Sequence, residues 1–586
     1  MLHYWQDISK FDYYSLTPGE EIMVKISDVY KNLTEGKKTF LLILGFLFSI
    51  VFLGIGKLPE IVITPPQNWD QLETWIGQFH RLFVILPDDV MITMRVAKFF
   101  LIHGYPGFNV SDISQPSTSY ILPIVLAPLF YLFPNNIALI LASFLGVLAF
   151  SACGILLKKA IDIKLQILLL SVLFLNSTTL TYLFGGWDHV WQCFFVVLAY
   201  AIAYELDSER SNLTRYISIG IASALAVLFR ADSIFLLSPL LVWVLVSGRD
   251  KYRYIAVVVF VVLGFVYSYF QLKWFGTLTP TTARLKTSSL PGLGYSFDYL
   301  FKCITKGSAV AFIPLLVFTF RNSFIHRKTP GLAALIGVIL SCSFAFLVSD
   351  VFSFGRMFLA PLVLTIFVAS RPQAQDYNGN IIGSFDTLRH KSLLPILFLL
   401  LLLAVVPHLF TRSAARVEHP LSPYLPIEYL SPTAEQLMLA QYIMKHMKPS
   451  DGSVGLFYLG TTSFYMPDYA IGDFLGKADE DIAKLPVKWG PPGHNKWNTE
   501  ISLLKWKPAV IPFFGVTALA KAGINEKKIK DQVDFAFWAD FDLALKKRGY
   551  VFCKPYPAFK QGLYVRKDLI SKFSSCQIFK NGLGES

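Results

Sequence analysis

Long apolar runs separated by short basic connectors constrain this chain more than any other feature. A helix that crosses a bilayer needs about 20 apolar residues, fewer where it is short or tilted. Candidate runs fall at roughly 39–56, 119–133, 136–157, 165–184, 190–205, 216–230, 233–247, 254–275, 307–320, 331–348, 357–370 and 392–409. With 54% hydrophobic and 16% charged residues in 586, the chain has too little polar surface to cover so much apolar side chain in water. The fold class expected is a polytopic α-helical membrane protein.

The net charge of +13 does not indicate a nucleic-acid partner. Its basic residues cluster in short loops, as at Lys158, Lys159 and Lys164, at Arg249, Lys251 and Arg253, and from Arg371 to Lys391. Such loops face the cytoplasm. The connectors holding Asp188, Asp232, Lys286, Asp350 and Arg356 then share the opposite face. Alternation of charge asks for an odd number of crossings, whereas twelve runs are even. Only Pro134, Asn135 and Asn136 separate 119–133 from 136–157. One of these as a partial helix gives 11 crossings, and one further span gives 13.

Residues 1–38 are polar and read as a cytoplasmic segment, with the first run as an uncleaved anchor. Residues 39–410 form the membrane domain, whose first extracytoplasmic loop covers 57–118. From 411 to 586 polar and charged residues return. SVGLFYLG and PAVIPFF read as strands, and SPTAEQLMLAQYIMKHM, opening on an N-cap, and DFDLALKKRGYV as helices. This C-terminal part is expected to be a soluble α/β domain. Cys153, Cys193, Cys303 and Cys342 lie in or beside apolar runs as packing residues, whereas Cys553 and Cys576 can pair if their region is extracytoplasmic.

Ionisable residues beside a bilayer are costly, and here they converge on one face. Asp88 and Asp89 open the stretch DDVMITMRVAKFFLIHGYPGFN, whose Ile92, Val96, Phe99 and Phe100 share a helical face suited to the membrane surface. One acid there is explained as a helix cap; two leave a remainder. Asp188 and His189 follow in GGWDH, Arg230 and Asp232 in LFRADS, Lys286 in TPTTARLK, and Asp350 and Arg356 in SDVFSFGR. Carboxylates suit a base, and cations suit an anionic leaving group. There is no Walker loop and no GxGxxG run, which argues against a nucleotide donor.

Five blocks in this order resemble the GT-C superfamily of polyprenyl-phosphate-dependent glycosyltransferases, closest to the terminal β-1,2-arabinofuranosyltransferase family. The first matches at Asp88, Asp89, Arg95, Gly104 and Asn109; the second at Arg230 and Asp232. The third matches at Gly276, Pro280, Thr282 and Lys286, and the fourth at Asp350, Arg356 and Pro361. The fifth, in the C-terminal part, matches at Asp473, Gly476, Asp479, Gly493, His494 and Lys496. Asp188 stands where the family has glutamate, Thr281 where it has asparagine, and Val348 and Ser349 where it has a glycine pair. These departures fall where sugar and acceptor would be recognised, so the resemblance implies a reaction class without a sugar.

The resemblance implies inverting transfer of a sugar from a polyprenyl phosphate to a cell-envelope glycan or glycolipid on the periplasmic face of a bacterial inner membrane. Asp88 is taken as the general base, with Asp89 orienting it, contacting acceptor or holding a cation; the two roles are interchangeable at this level. Arg356, Lys286 and Arg230 are expected at the donor phosphate, with Asp350 orienting one of them. Arg95, Asp188, Asp232 and His494 complete the expected binding set. A divalent cation remains open, and no other cofactor is indicated. A polymerase or ligase of polyprenyl-diphosphate-linked glycans would need a larger basic extracytoplasmic loop. A transporter or lipid flippase would carry its charges near the midplane in related halves, and no halves repeat here.

Overall fold

The computed structural model describes residues 88–110, 112–156, 186–206, 213–247, 251–287, 293–306, 330–349, 356–369, 427–488, 493–513, 541–555, 562–573 and 576–578. The expected runs at 39–56, 165–184, 307–320 and 392–409, together with Asp350, lie outside them. The helical part comprises α1 (Asp88–His103), α2 (Leu122–Leu132), α3 (Asn135–Leu156), α4 (Asp188–Tyr204), α5 (Leu213–Phe229), α6 (Ser233–Ser247), α7 (Arg253–Phe275), α8 (Thr281–Thr287), α9 (Leu293–Lys306), α10 (Pro330–Val348) and α11 (Leu359–Ala369). Apart from α1, α8 and α9, each coincides with an apolar run read from the sequence.

Among the described residues, α7 and α10 are long and apolar enough to cross a membrane. They differ in surroundings. Only 11% of the apolar window of α7 is buried, against 50% for α10. Phe265, Tyr269 and Val258 on α7 are exposed, a surface that suits lipid rather than water. The eleven residues of α2 reach about 16 Å, too short for a hydrocarbon layer of about 30 Å. Of the doubtful pair, α2 is the shorter, at 11 residues against 22 for α3.

The C-terminal part is a six-stranded mixed sheet with helices. In chain order it runs α12 (Ile427–His446), β1 (Val454–Leu456), α13 (Gly460–Tyr465), β2 (Ile471–Asp473), α14 (Glu480–Ala483), α15 (Thr499–Trp506), β3 (Val510–Phe513), β4 (Tyr550–Lys554), β5 (Gly562–Arg566) and β6 (Gln577–Ile578). The strand order is β2-β1-β3-β5-β4-β6. β1 runs parallel to β2 and β3, with Val454 opposite both Ile471 and Val510; the remaining pairings are antiparallel. A disulfide joins Cys553 of β4 to Cys576, just before β6. α12 begins at Ile427, so Ser431 lies inside the helix and is not its N-cap.

The sequence places α1 on the membrane surface; the structure places it between two cores. Val90, Met91, Met94 and Ala97 pack into the core of the helical part. Ile92 and Val96, expected to face lipid, instead join Leu456, Ile471 and Val510 in the core under the sheet. Phe464 of α13 makes the reverse insertion, into the helical core beside Phe130, with ring centroids 5.7 Å apart. An amphipathic face meets either lipid or protein with the same pattern, which is why periodicity does not separate the two.

Polar groups fix the two parts against each other. The buried Arg95 guanidinium donates to the carbonyls of Ser463, of Met466 at 3.0 Å and of Tyr469 at 3.1 Å, closing the end of α13. At the other end, the Thr461 N–H donates to Asp88 Oδ1 at 3.0 Å. Gly460 permits this approach, because a Cβ there would stand 1.8 Å from the Asp88 carbonyl oxygen. Gly460→Ala is therefore expected to destabilise the junction by about 1–3 kcal/mol. Thermal unfolding in detergent, with proteolysis between the two parts, will read the loss; unchanged behaviour would refute the contact.

Candidate active site

In mixed sheets, loops at the carboxyl ends of parallel strands are the ordinary place for ligand-facing residues. The loops after β1 and β2 turn towards the helical part. The first leads into α13 and its contact with Asp88. The second, Phe474 to Asp479, carries Lys477. Its shape follows from Asp473, whose carboxylate accepts from the Leu475 N–H at 2.8 Å and the Ala478 N–H at 2.5 Å. Gly476 turns the chain at φ +78°, and Asp479 caps α14 by accepting from Asp481 and Ile482. Burial pushes the Asp473 carboxyl up to about 6, partly offset by those N–H groups.

Lys477 emerges beside Asp89. Its Nζ lies 2.9 Å from Asp89 Oδ1, while Arg356 Nη1 lies 3.1 Å from Oδ2. The two cations thus approach the carboxylate from different parts of the chain. Arg356 also lies over the Trp187 ring, 5.1 Å from its centroid. These groups line a partly open cleft of about 590 Å³, solvent included, with Asp188, Lys286 and His494 also in its wall.

The tandem acids separate in role because consecutive helical residues point about 100° apart. Asp89 lines the cleft; Asp88 faces α13 and does not. Burial raises the Asp88 carboxyl above its ordinary value, against the opposing pull of Lys477 and the Thr461 N–H. Its Oδ2 is buried, with no hydrogen-bond partner among the described residues. Burial acts in the same direction at Asp89, but Lys477, Arg356 and Lys286 outweigh it and hold that carboxyl well below the carboxylate range. The same geometry keeps Lys477 protonated: burial opposes its charge, and Asp89 and Asp88 more than compensate.

A short helix brings in the next cation. Thr282, Leu285 and Lys286 of α8 face the cleft at helical spacing. Thr281 and Arg284, on an adjacent face, both donate to Glu480 of α14, Thr281 at 2.6 Å. Gly493 lies beside the Lys286 stem, and a Cβ added to it would stand 3.4 Å from Lys286 Cε, in ordinary contact. Thr282 Oγ1 is buried in the cleft wall, without a partner among the described residues.

From Thr118 and Asp188 in the cleft wall a polar network runs inward. Thr118 donates to Asp188 Oδ2 at 2.8 Å, and His189 Nδ1 lies 2.8 Å from Asp188 Oδ1. Arg230 reaches Asp188 at 3.2 Å and grips Asp232 with Nε and Nη2 at 3.1 and 3.0 Å. Arg230 and Asp232 neutralise each other here and do not line the cleft. Arg95 sits at the junction, away from it. Of the residues expected from the sequence, the structure brings Asp89, Asp188, Lys286, Arg356 and His494 together around one cleft. Among the described residues, no cluster of His, Cys, Asp or Glu has the arrangement of a metal site.

Lys477 is absent from the expected set. It lies between the matched Gly476 and Asp479 but is not itself a matched position, so the pattern passes over it.

Neither a protein-family model nor a curated protein matches this chain. Among solved structures it is similar to ArnT from Cupriavidus metallidurans in the apo state, with 13% identity, 92% of this chain and 99% of that chain covered, and a TM-score of 0.52. The same protein bound to undecaprenyl phosphate gives 14% identity, 75% and 86% coverage and a TM-score of 0.46. The archaeal oligosaccharyltransferase AglB from Archaeoglobus fulgidus, in complex with an inhibitory peptide and a dolichol-phosphate, gives 13%, 91%, 74% and 0.45. The likeness to apo ArnT extends over nearly all of both chains and shows a shared fold.

Replacing Asp89 with Asn leaves Arg356 and Lys477 without their shared counter-ion. The expected cost is about 1–3 kcal/mol, below that of a fully buried pair because the Asp89 side chain is 23% exposed. With its folded value below its unfolded one, Asp89 stabilises above about pH 4 and loses that contribution as the pH falls. Asp88 is raised and has the opposite sign, its ionisation costing stability as the pH rises. Thermal unfolding between about pH 5 and about pH 3 should show an acid loss that Asp89→Asn diminishes and Asp88→Asn does not.

Proposed function

We propose that this protein transfers a sugar from a polyprenyl-phosphate donor to a cell-envelope glycan or glycolipid, with inversion, at the outer face of the membrane. The observation that carries the reading is a carboxylate, Asp89, in one cleft with Arg356, Lys286 and Lys477. A glycosyl phosphate needs such a set: a base for the acceptor hydroxyl and cations for the departing phosphate. The resemblance of the five sequence blocks to the GT-C superfamily supports a lipid-borne donor, and the exposed apolar surface of α7 supports a membrane setting. The Cys553–Cys576 disulfide supports an extracytoplasmic C-terminal domain. Eleven crossings, with α2 as a partial helix, give that topology.

In this reading Asp89, not Asp88, receives the proton. The acceptor oxygen bonds to the anomeric carbon on the face opposite the phosphate as its proton passes to Asp89. The carbon–oxygen bond to the phosphate breaks, and its electron pair goes to the phosphate oxygen, which Arg356, Lys286 and Lys477 stabilise. Asp188, with Thr118 and Arg230 behind it, contacts the sugar or the acceptor. His494 closes the cleft from the C-terminal domain. Asp88 is a positioning residue that holds α1, and with it Asp89, against α13. Arg95 serves the same junction, Arg230 and Asp232 set the orientation of Asp188, and Asp350 keeps its proposed role of orienting a cation.

Purified protein given defined polyprenyl-phosphate sugars and an envelope extract should release polyprenyl phosphate. Asp89→Asn should lower the rate by about 10²–10⁴, and Asp88→Asn should retain measurable turnover. Release from no sugar donor, or full activity of Asp89→Asn, would sink this assignment. Turnover of diphosphate-linked donors alone would favour the ligase reading.

A further inference from the structure

Asp89 is already bound to the groups that a departing phosphate needs. Lys477 holds Oδ1 and Arg356 holds Oδ2, so each oxygen of the proposed base is occupied by a charged donor. A carboxylate so held is a weak proton acceptor. Neither cation has solvent as an alternative partner, since Lys477 is 8% exposed and Arg356 4%. Both stand in the wall of the cleft, where an entering anion would meet them. Thr282, only 5% exposed, adds to the same wall a hydroxyl that has no partner among the described residues and is available to such an anion.

We infer that Asp89 occupies the place of the donor phosphate, and that donor binding activates the base by exchanging one anion for the other. This rests on the proposed polyprenyl-phosphate donor. The phosphate takes over Lys477 and Arg356, and Thr282 donates to it. The released carboxylate turns to the acceptor hydroxyl. Donor therefore binds before an acceptor can be activated, which protects the base from acting on water or acceptor alone. After transfer, the lipid phosphate departs with its new electron pair. Lys477 and Arg356 return to Asp89 and drive the proton it accepted into solvent, which restores the starting state. Because Lys477 belongs to the loop after β2, the exchange also makes the C-terminal domain part of donor recognition.

The test uses undecaprenyl phosphate, titrated into the full chain in lipid nanodiscs and followed by native mass spectrometry. Exchange predicts that Asp89→Asn binds it roughly 5- to 10-fold more tightly than wild type while losing turnover, since a neutral amide competes poorly for the cations. Lys477→Gln should bind about tenfold more weakly, and Lys477→Arg should recover. A folded Asp89→Asn that binds equally or more weakly overturns the exchange. If Asp89→Asn does not fold, infrared difference spectra of wild type read the carboxylate directly. A shifted carboxylate stretch on lipid binding, kept in Lys477→Arg and diminished in Lys477→Gln, supports exchange; an unchanged stretch with lipid bound overturns it. Absence of binding in every form would overturn the polyprenyl-phosphate reading itself, a result distinct from binding without the predicted order of affinities.

Discussion

The architecture depends on the grip of one helix on another: α1 holds α13 at both ends. Arg95 takes three carbonyls at the C-terminal end, and Asp88 takes the Thr461 N–H at the other. A guanidinium as buried as Arg95 requires acceptors on several sides, and the end of a short helix provides them with fixed geometry. Apolar exchange reinforces the grip, with Ile92 and Val96 in one core and Phe464 in the other. Two parts of different composition thereby become one framework for the cleft.

That framework explains how neighbouring acids acquire different chemistry. Asp88 spends its contacts on α13, and Asp89, one residue on, opens to the cleft. Their environments push the carboxyls in opposite directions, the arrangement by which paired acids divide their tasks. The loop carrying Lys477 is built by backbone N–H groups converging on Asp473 and by the cap at Asp479. The C-terminal domain therefore contributes to the cleft itself, through Lys477 and His494.

Much of the helical part was legible because apolar runs have few ways to fold in a membrane. The boundaries of α4, α5, α7 and α10 follow the runs closely. The strands at β1 and β3 fall within SVGLFYLG and PAVIPFF. The environment of α1 was not legible, since its hydrophobic face suits lipid and a protein core equally. Lys477 was obscured because it is not a matched position of its block, and Asp89 approaches it only across 388 residues of sequence.

The sequence by itself led to the expectation of acids and cations beside apolar helices, followed by a part with both strands and helices. Hydrophobic length and charge are local properties, so they survive without knowledge of the fold. Only the tertiary structure decided which acid meets the cleft, which cations reach it and which serve the framework instead. Arg95, Arg230 and Arg356 are chemically the same side chain. Their separate partners, the α13 carbonyls, the Asp188–Asp232 pair and Asp89, are set by packing between distant segments.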